Sequence, residues 1–251
     1  MTYCVGVLVE GGLVMIADTR TNAGLDDIST FRKLHLFNVP GERVMLLACA
    51  GNLSITQSVL SLLREGVDDG QGREGEAPET LIETPSLFKA AQLVGRAIRR
   101  VRAIEQEAFE AARIRFEVSF LLGGQIGGSP MQLYMIYAAG NFFECGRDNP
   151  FLQIGEHKYG KPILDRAVNF QTDLYDALKV SLVSMDSTMR SNLGVGLPID
   201  VAVTRRGALD LEVNHRIEAG EGYFHDLRER WSAALRAAHK AIPRPPYGPR
   251  S

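Results

Sequence analysis

Three residue types near the start of the chain can assemble a self-activating nucleophile: Thr2, Asp18 and Lys33. A threonine hydroxyl attacks a carbonyl only when a base takes its proton. Thr2 directly follows Met1, so loss of that methionine would leave one residue carrying both the hydroxyl and a free α-amine. Such an amine has an ordinary pKa of about 8, so an appreciable fraction is already free base at neutral pH. A lysine beside it disfavours the protonated form, and a carboxylate holds that lysine in place.

Chain elements must bring positions 2, 18 and 33 together. Residues 3–9 and 13–17 are short apolar runs joined by Glu10-Gly11-Gly12, the pattern of a β-hairpin. Folding about that turn pairs residues whose numbers sum to about 21–23, which returns Asp18 to the chain start. Lys33 follows a turn at Gly24 and precedes a third apolar run, residues 34–37. Hydroxyl, carboxylate and amine are therefore expected to converge on one sheet edge.

Thr2, the A-D-T-R segment at 17–20, R-K-L-H at 32–35 and A-G at 50–51 together resemble the proteasome β-subunit family. The opening M-T-Y-C-V-G, with T-R-T-N-A-G and S-T-F-R-K-L-H, is most similar to its bacterial Anbu branch. The resemblance covers most of the chain and is strongest over residues 1–52. It implies a threonine-type peptidase with Thr2, Asp18 and Lys33 catalytic, and Gly51 offering its backbone N–H to the oxyanion. It implies a substrate pocket at Thr21, Asn22 and Cys49. Glu156, in L-Q-I-G-E-H, stands where many relatives have serine, so a carboxylate would face the amine and hold it as ammonium more of the time. Asp186 and Ser191 are the candidates for two further supporting positions. No cofactor and no metal are implied.

Composition sets outer bounds. The 251 residues are 45% hydrophobic and 23% charged, with a net charge of −2. That balance carries no electrostatic footprint for nucleic acid or an anionic membrane. Cys4, Cys49 and Cys145 are scattered, with no C-x-x-C pair, which speaks against a disulfide framework or a zinc site. Cys49 reads as a small buried apolar residue, and none of the five histidines is paired at ligand spacing. There is no signal-like or membrane-length apolar run. Cytoplasm is the expected compartment.

Further along, residues 43–50 read as a buried strand, and Asn52 or Ser54 as the cap of a helix with Ile55, Val59, Leu62 and Leu63 on one face. Residues 65–85, rich in Gly and acid, read as a solvated, mobile loop. Ser86 starts a long helix with the stripe Leu87, Ala91, Val94, Ile98 and Val101. Its basic-to-acidic surface, residues 89–110, reads as a solvated face or a subunit contact. Residues 116–123 and 132–138 are a second strand pair about a Gly-rich turn, and 141–145 a further strand or turn. A short helix follows Pro162. Thr172 and Asp173 open a helix with Tyr175, Leu178, Leu182, Met185 and Met189 on one face. Residues 199–203 and 209–213 form a last hairpin about Arg205-Arg206-Gly207. A final helix presents Phe224, Leu227, Trp231, Leu235 and Ala238.

Strands in hairpin blocks, with helices between them, exclude a parallel doubly wound sheet and give an α+β class. The resemblance sharpens this to a four-layer αββα sandwich of two antiparallel sheets, the N-terminal-nucleophile hydrolase fold. The expected organisation is one domain over residues 1–242 and a Pro-rich tail over 243–251. The expected substrate is a peptide or unfolded protein, and the expected partner is a second copy of the chain. Relatives build closed double rings of six or seven subunits; for Anbu-like chains an open ring or spiral is expected. Two rival functions stand beside it: an N-terminal-nucleophile amidase using the same residues on a small or isopeptide substrate, and a non-catalytic shell subunit. The residues name neither an individual substrate nor an ATPase partner.

Overall fold

The computed structural model describes residues 1–22, 28–68 and 78–247. The N-terminal runs pair as β1 (Tyr3–Val9) and β2 (Gly12–Asp18), with Cys4 opposite Ala17 and Val9 opposite Gly12. A ribbon of β3 (Arg20–Asn22) and β4 (Ile28–Thr30), not anticipated from sequence, leads to β5 (Leu34–Val39) and β6 (Arg43–Gly51). The turn assigned to Gly24 lies outside the described residues. Helices α1 (Leu53–Glu65) and α2 (Leu87–Ala111) precede β7 (Val118–Ile126), β8 (Gln132–Ile136), β9 (Phe142–Glu144) and β10 (Phe151–Gly155). The chain closes with α3 (Lys161–Ala167), α4 (Leu174–Ser191), β11 (Ile199–Arg205), β12 (Val213–Ile217) and α5 (Gly222–Ala241).

Two five-stranded sheets form, ordered β10-β1-β2-β11-β12 and β5-β6-β7-β8-β9. Every described pairing within them is antiparallel. Cys4, Leu13 and Met15 of the first sheet meet Leu46, Ala48 and Leu121 of the second in a shared core. The outer face of the second sheet packs on α1 and α2 through Met45, Leu47 and Phe120. Tyr3, Val5, Val14 and Ile16 pack the first sheet on the helices α3 to α5. The architecture is the αββα sandwich expected above. Both faces of each central strand are covered, which is why these strands read as unbroken apolar runs rather than alternating ones.

Several local readings are corrected. The Gly-rich stretch after residue 122 is not all turn: β7 continues through Gly123 and Gly124 to Ile126. A Cβ at Gly123 would come within 2.7 Å of Leu13 Cδ2, so glycine is needed where the sheets approach. The second strand of the last hairpin begins only at Val213, the last residue of the predicted span, and runs to Ile217. Tyr175 is exposed rather than part of the α4 core face, which uses Leu174, Ala177, Leu182 and Met185. The predicted loop at 65–85 holds structure: Val67 bridges Glu79, and Leu81 is fully buried in a 3₁₀ turn. Residues 69–77 of that loop lie outside the described residues. Among the described residues no helix is long and apolar enough to cross a membrane.

Candidate active site

The hairpin register places Asp18 one step beyond the Cys4–Ala17 pair, so its Oδ1 accepts the Tyr3 N–H at 3.0 Å. Its other oxygen accepts the Gly196 N–H at 3.3 Å. Lys33 extends the β5–β6 ladder by one residue, its carbonyl accepting the Cys49 N–H at 2.9 Å. From there Lys33 Nζ donates to Asp18 Oδ1 at 2.8 Å, to the Arg20 carbonyl at 2.6 Å and to the Met1 carbonyl at 3.3 Å. An ammonium has three donors. All are engaged, so the position of Nζ is fixed. Asp18 is fully buried and Lys33 is 6% exposed. Burial pushes the Asp18 carboxyl pKa up, and Lys33 and the two backbone N–H groups offset only part of that, so it stays raised.

Thr2 is 9% exposed. With Thr21, Lys33, Cys49, Gly51 and Glu156 it lines a polar cleft of about 630 Å³. A second groove of about 350 Å³, between α3, α4 and α5, is walled largely by apolar side chains such as Val180, Leu227 and Trp231. It offers no nucleophile beside a base, so the polar cleft is the candidate site.

Gly51 ends β6 with φ +119°, and a Cβ there would lie 2.2 Å from the Glu117 carbonyl oxygen. Only glycine fits. Cys49 is buried, and burial pushes its thiol pKa up to about 12, so it is a neutral wall rather than a nucleophile. Thr21 is partly buried at the cleft, and Asn22 ends β3 opposite Ile28. Gly155 has φ +81°, and a Cβ there would meet the Thr2 carbonyl oxygen at 2.0 Å. That close approach lets the Glu156 N–H donate to the same oxygen at 2.7 Å.

The two remaining candidates are not brought to the cleft. Asp186 is fully buried on the other side of α4, where its oxygens accept Arg190 Nε at 3.0 Å and Arg228 Nε at 2.6 Å. It ties α4 to α5. Ser191 is exposed at the end of α4. The neighbouring Asn192, which the sequence reading passed over, is the residue that reaches in. Its Nδ2 donates to Glu156 Oε2 at 3.0 Å, while its Oδ1 accepts the Gly194 N–H at 2.9 Å. An Asn at a helix end with Gly two residues on is an Asx-turn signal, and would have drawn attention to it. Gly196 and the Arg20 carbonyl were missed for another reason. They act through the backbone, which sequence does not display. Among the described residues no cluster of three His, Cys, Asp or Glu is placed to hold a metal ion.

The αββα sandwich, with a threonine, a buried Asp–Lys pair and a glycine at the edge of its central layers, defines a proteasome β-type N-terminal-nucleophile fold. No family model and no curated protein matches the chain. Solved structures do. An Anbu (Gly-1) mutant from Hyphomicrobium sp. strain MC1 is 45% identical, covering 97% of this chain and 99% of its own, with a TM-score of 0.86. Anbu (ancestral beta-subunit) from Yersinia bercovieri is 42% identical over 98% of this chain and 100% of its own, TM-score 0.86. The helical assembly of the Anbu complex from Pseudomonas aeruginosa is 45% identical over 98% of both chains, TM-score 0.88. The chain belongs to the Anbu family of proteasome-like proteins.

Proposed function

We propose that the chain is a threonine-type peptidase subunit of a self-compartmentalised assembly, with Thr2 as nucleophile once Met1 is removed. The observation that best supports this is the Asp18–Lys33 pair: Nζ is tied to Asp18 Oδ1 and the Arg20 carbonyl, and its third donor, now on the Met1 carbonyl, is released beside the Thr2 nitrogen when Met1 leaves. A charge fixed there disfavours protonation of a neighbouring amine, the condition an amine base needs. In this reading Thr2 Oγ attacks the scissile carbonyl and the α-amine takes its proton. Gly51 N–H faces the oxyanion, and Thr21, Asn22 and Cys49 shape the pocket. The Anbu complex of Pseudomonas aeruginosa is described as a helical assembly. For this chain we accordingly propose a cytoplasmic homo-oligomer, with an open ring or spiral favoured over a hexameric double ring.

Two measurements test the reading. Intact mass of the cellular protein is expected to show a chain starting at Thr2; retained Met1 would overturn the free-amine mechanism. A fluorogenic peptide panel run beside a small-amide panel, each with a Thr2→Ala control, separates a peptidase from an amidase. Loss of the nucleophile is expected to cost on the order of 10²–10⁴ or more in rate. Sedimentation and negative-stain images decide the assembly, and a monodisperse monomer would remove the chamber.

A further inference from the structure

Glu156 is a carboxylate in an unusual setting. The β1–β10 register pairs Tyr3 with Gly155, and its next step sets Glu156 opposite Thr2, the spacing at which cross-strand charges interact. The side chain of Glu156 is only 10% exposed, and both residues line the same cleft. One carboxylate oxygen is held by the neutral Asn192 amide at 3.0 Å. The other lies 3.4 Å from Lys158 Nζ, whose side chain is 70% exposed, so that pairing is weak and screened. Asn192 is itself clamped, by its Asx turn and by its N–H donating to the Thr188 carbonyl at 2.8 Å.

The charges facing the Thr2 nitrogen can be weighed from this geometry. Lys33 is matched at 2.8 Å by Asp18, which offsets much but not all of its charge, so its repulsion of the amine opposes the attraction of an unmatched carboxylate without cancelling it. Arg32 and Glu117 line the cleft too, but both are exposed and opposite in sign. Arg20, partly buried, donates to the Leu193 carbonyl at 3.0 Å beside the Asn192 turn, but among the described residues it makes no ion pair with Glu156, whose carboxylate pairs with the exposed Lys158. Gly194 packs against Met1, its Cα placed so that an added Cβ would meet Met1 Cβ at 2.7 Å. Departure of Met1 leaves the new amine on Thr2, at the cleft that Glu156 also lines.

We infer that Glu156, oriented by Asn192, is a positioning residue that holds the freed Thr2 α-amine as its ammonium near neutral pH and so gates turnover by pH. This rests on the nucleophile assignment above and adds the regulation of that site. Only the free-base amine can take the Thr2 hydroxyl proton as Oγ bonds to the carbonyl carbon. Activity accordingly rises toward alkaline pH with the deprotonation of an amine whose pKa lies above the ordinary value of about 8.

The test titrates the amine without needing a substrate. Competitive acetylation of the α-amine with acetic anhydride across a pH series, read by mass spectrometry of the N-terminal peptide, gives its apparent pKa in the assembled protein. Glu156→Gln is expected to lower that pKa by about one unit, a roughly tenfold gain in free base at pH 7. Asn192→Ala is expected to shift it the same way by less, and Glu156→Asp to restore part of the difference. The acidic limb of the pH–rate profile should move with the labelling curve. An unchanged labelling pKa in both Glu156→Gln and Asn192→Ala would overturn the inference whatever happens to activity. Loss of turnover at every pH with that pKa unchanged would make Glu156 itself the proton acceptor. Retained Met1, seen by intact mass, would instead fail the nucleophile assignment and take this inference with it.

Discussion

Replacing Lys33 by methionine removes the charge and keeps most of the volume, which isolates the electrostatics of the buried pair. The variant strands Asp18, fully buried, with two N–H donors at 3.0 and 3.3 Å. Removing one partner of a buried pair costs about 3–5 kcal/mol. There is a ceiling, because the stranded carboxylate can take up a proton instead. From an unfolded pKa of about 3.9, protonation at pH 7 costs about 4 kcal/mol and at pH 5 only about 1.5. The expected destabilisation is therefore about 3–4 kcal/mol at pH 7, shrinking to about 1.5 at pH 5. The sign follows from linkage. In the variant the folded carboxyl has the higher pKa, so the folded state binds more protons and gains stability as pH falls. Urea denaturation followed by circular dichroism, at fixed protein concentration and both pH values, measures the two deficits. A deficit below about 1 kcal/mol at pH 7 would refute the claim that Lys33 neutralises a buried charge. So would a deficit that does not shrink at pH 5. Asp18→Asn combined with Lys33→Met should recover part of the loss, since no charge is then stranded.

Other consequences can be checked alongside. His35 is partly buried beside Arg64, and burial followed by that guanidinium lowers its pKa from 6.5 to about 4. Between these values the unfolded chain binds more protons, so stability should fall by about 2 kcal/mol as pH drops through that window, after discount for partial exposure; His35→Gln should flatten the dependence in a pH series of denaturation curves. Gly155→Ala forces a Cβ onto the Thr2 carbonyl at a positive φ, and is expected to cost about 1–3 kcal/mol and abolish turnover, read by thermal melting and the peptide panel. Asp186→Ala leaves Arg190 and Arg228 without their shared carboxylate. Because both arginines keep access to water, the loss should be about 1–3 kcal/mol, while the Thr2 amine labelling curve stays in place; a shifted curve would return Asp186 to the site.

The pieces legible in the sequence were those carried by local pattern. The Glu10-Gly11-Gly12 turn and its flanking runs fixed the hairpin register, and register alone carries Asp18 back to Tyr3. Asn52, Ser86 and Asp173 were readable as helix starts because each side chain accepts a nearby backbone N–H. The α2 stripe was readable because 3.6-residue periodicity survives burial of one face only. Reading failed where neighbours distant in sequence decide. Tyr175 keeps the helical spacing of its apolar neighbours, yet its hydroxyl reaches Glu212 at the surface. The glycines at 123 and 124 resembled a turn, but both lie inside a strand, Gly123 where Leu13 of the other sheet approaches and Gly124 at a positive φ against the Val44 carbonyl of the adjacent strand.

The same division runs through the site. Sequence by itself determined the reagents: a threonine behind Met1, a carboxylate at a strand end, a lysine ahead of the third long strand, and the glycine that closes β6. These are set by residue type and by register, both local properties. Only the tertiary structure decided what surrounds them. It buried Asp18 beneath the β11 approach, spent every Nζ donor of Lys33, and sent Asp186 to the α4–α5 contact. It also brought the end of α4 against the residue after β10, so that Asn192 rather than Ser191 meets Glu156. Burial and long-range pairing fix the electrostatics of a site, and neither is a property of any short stretch of chain.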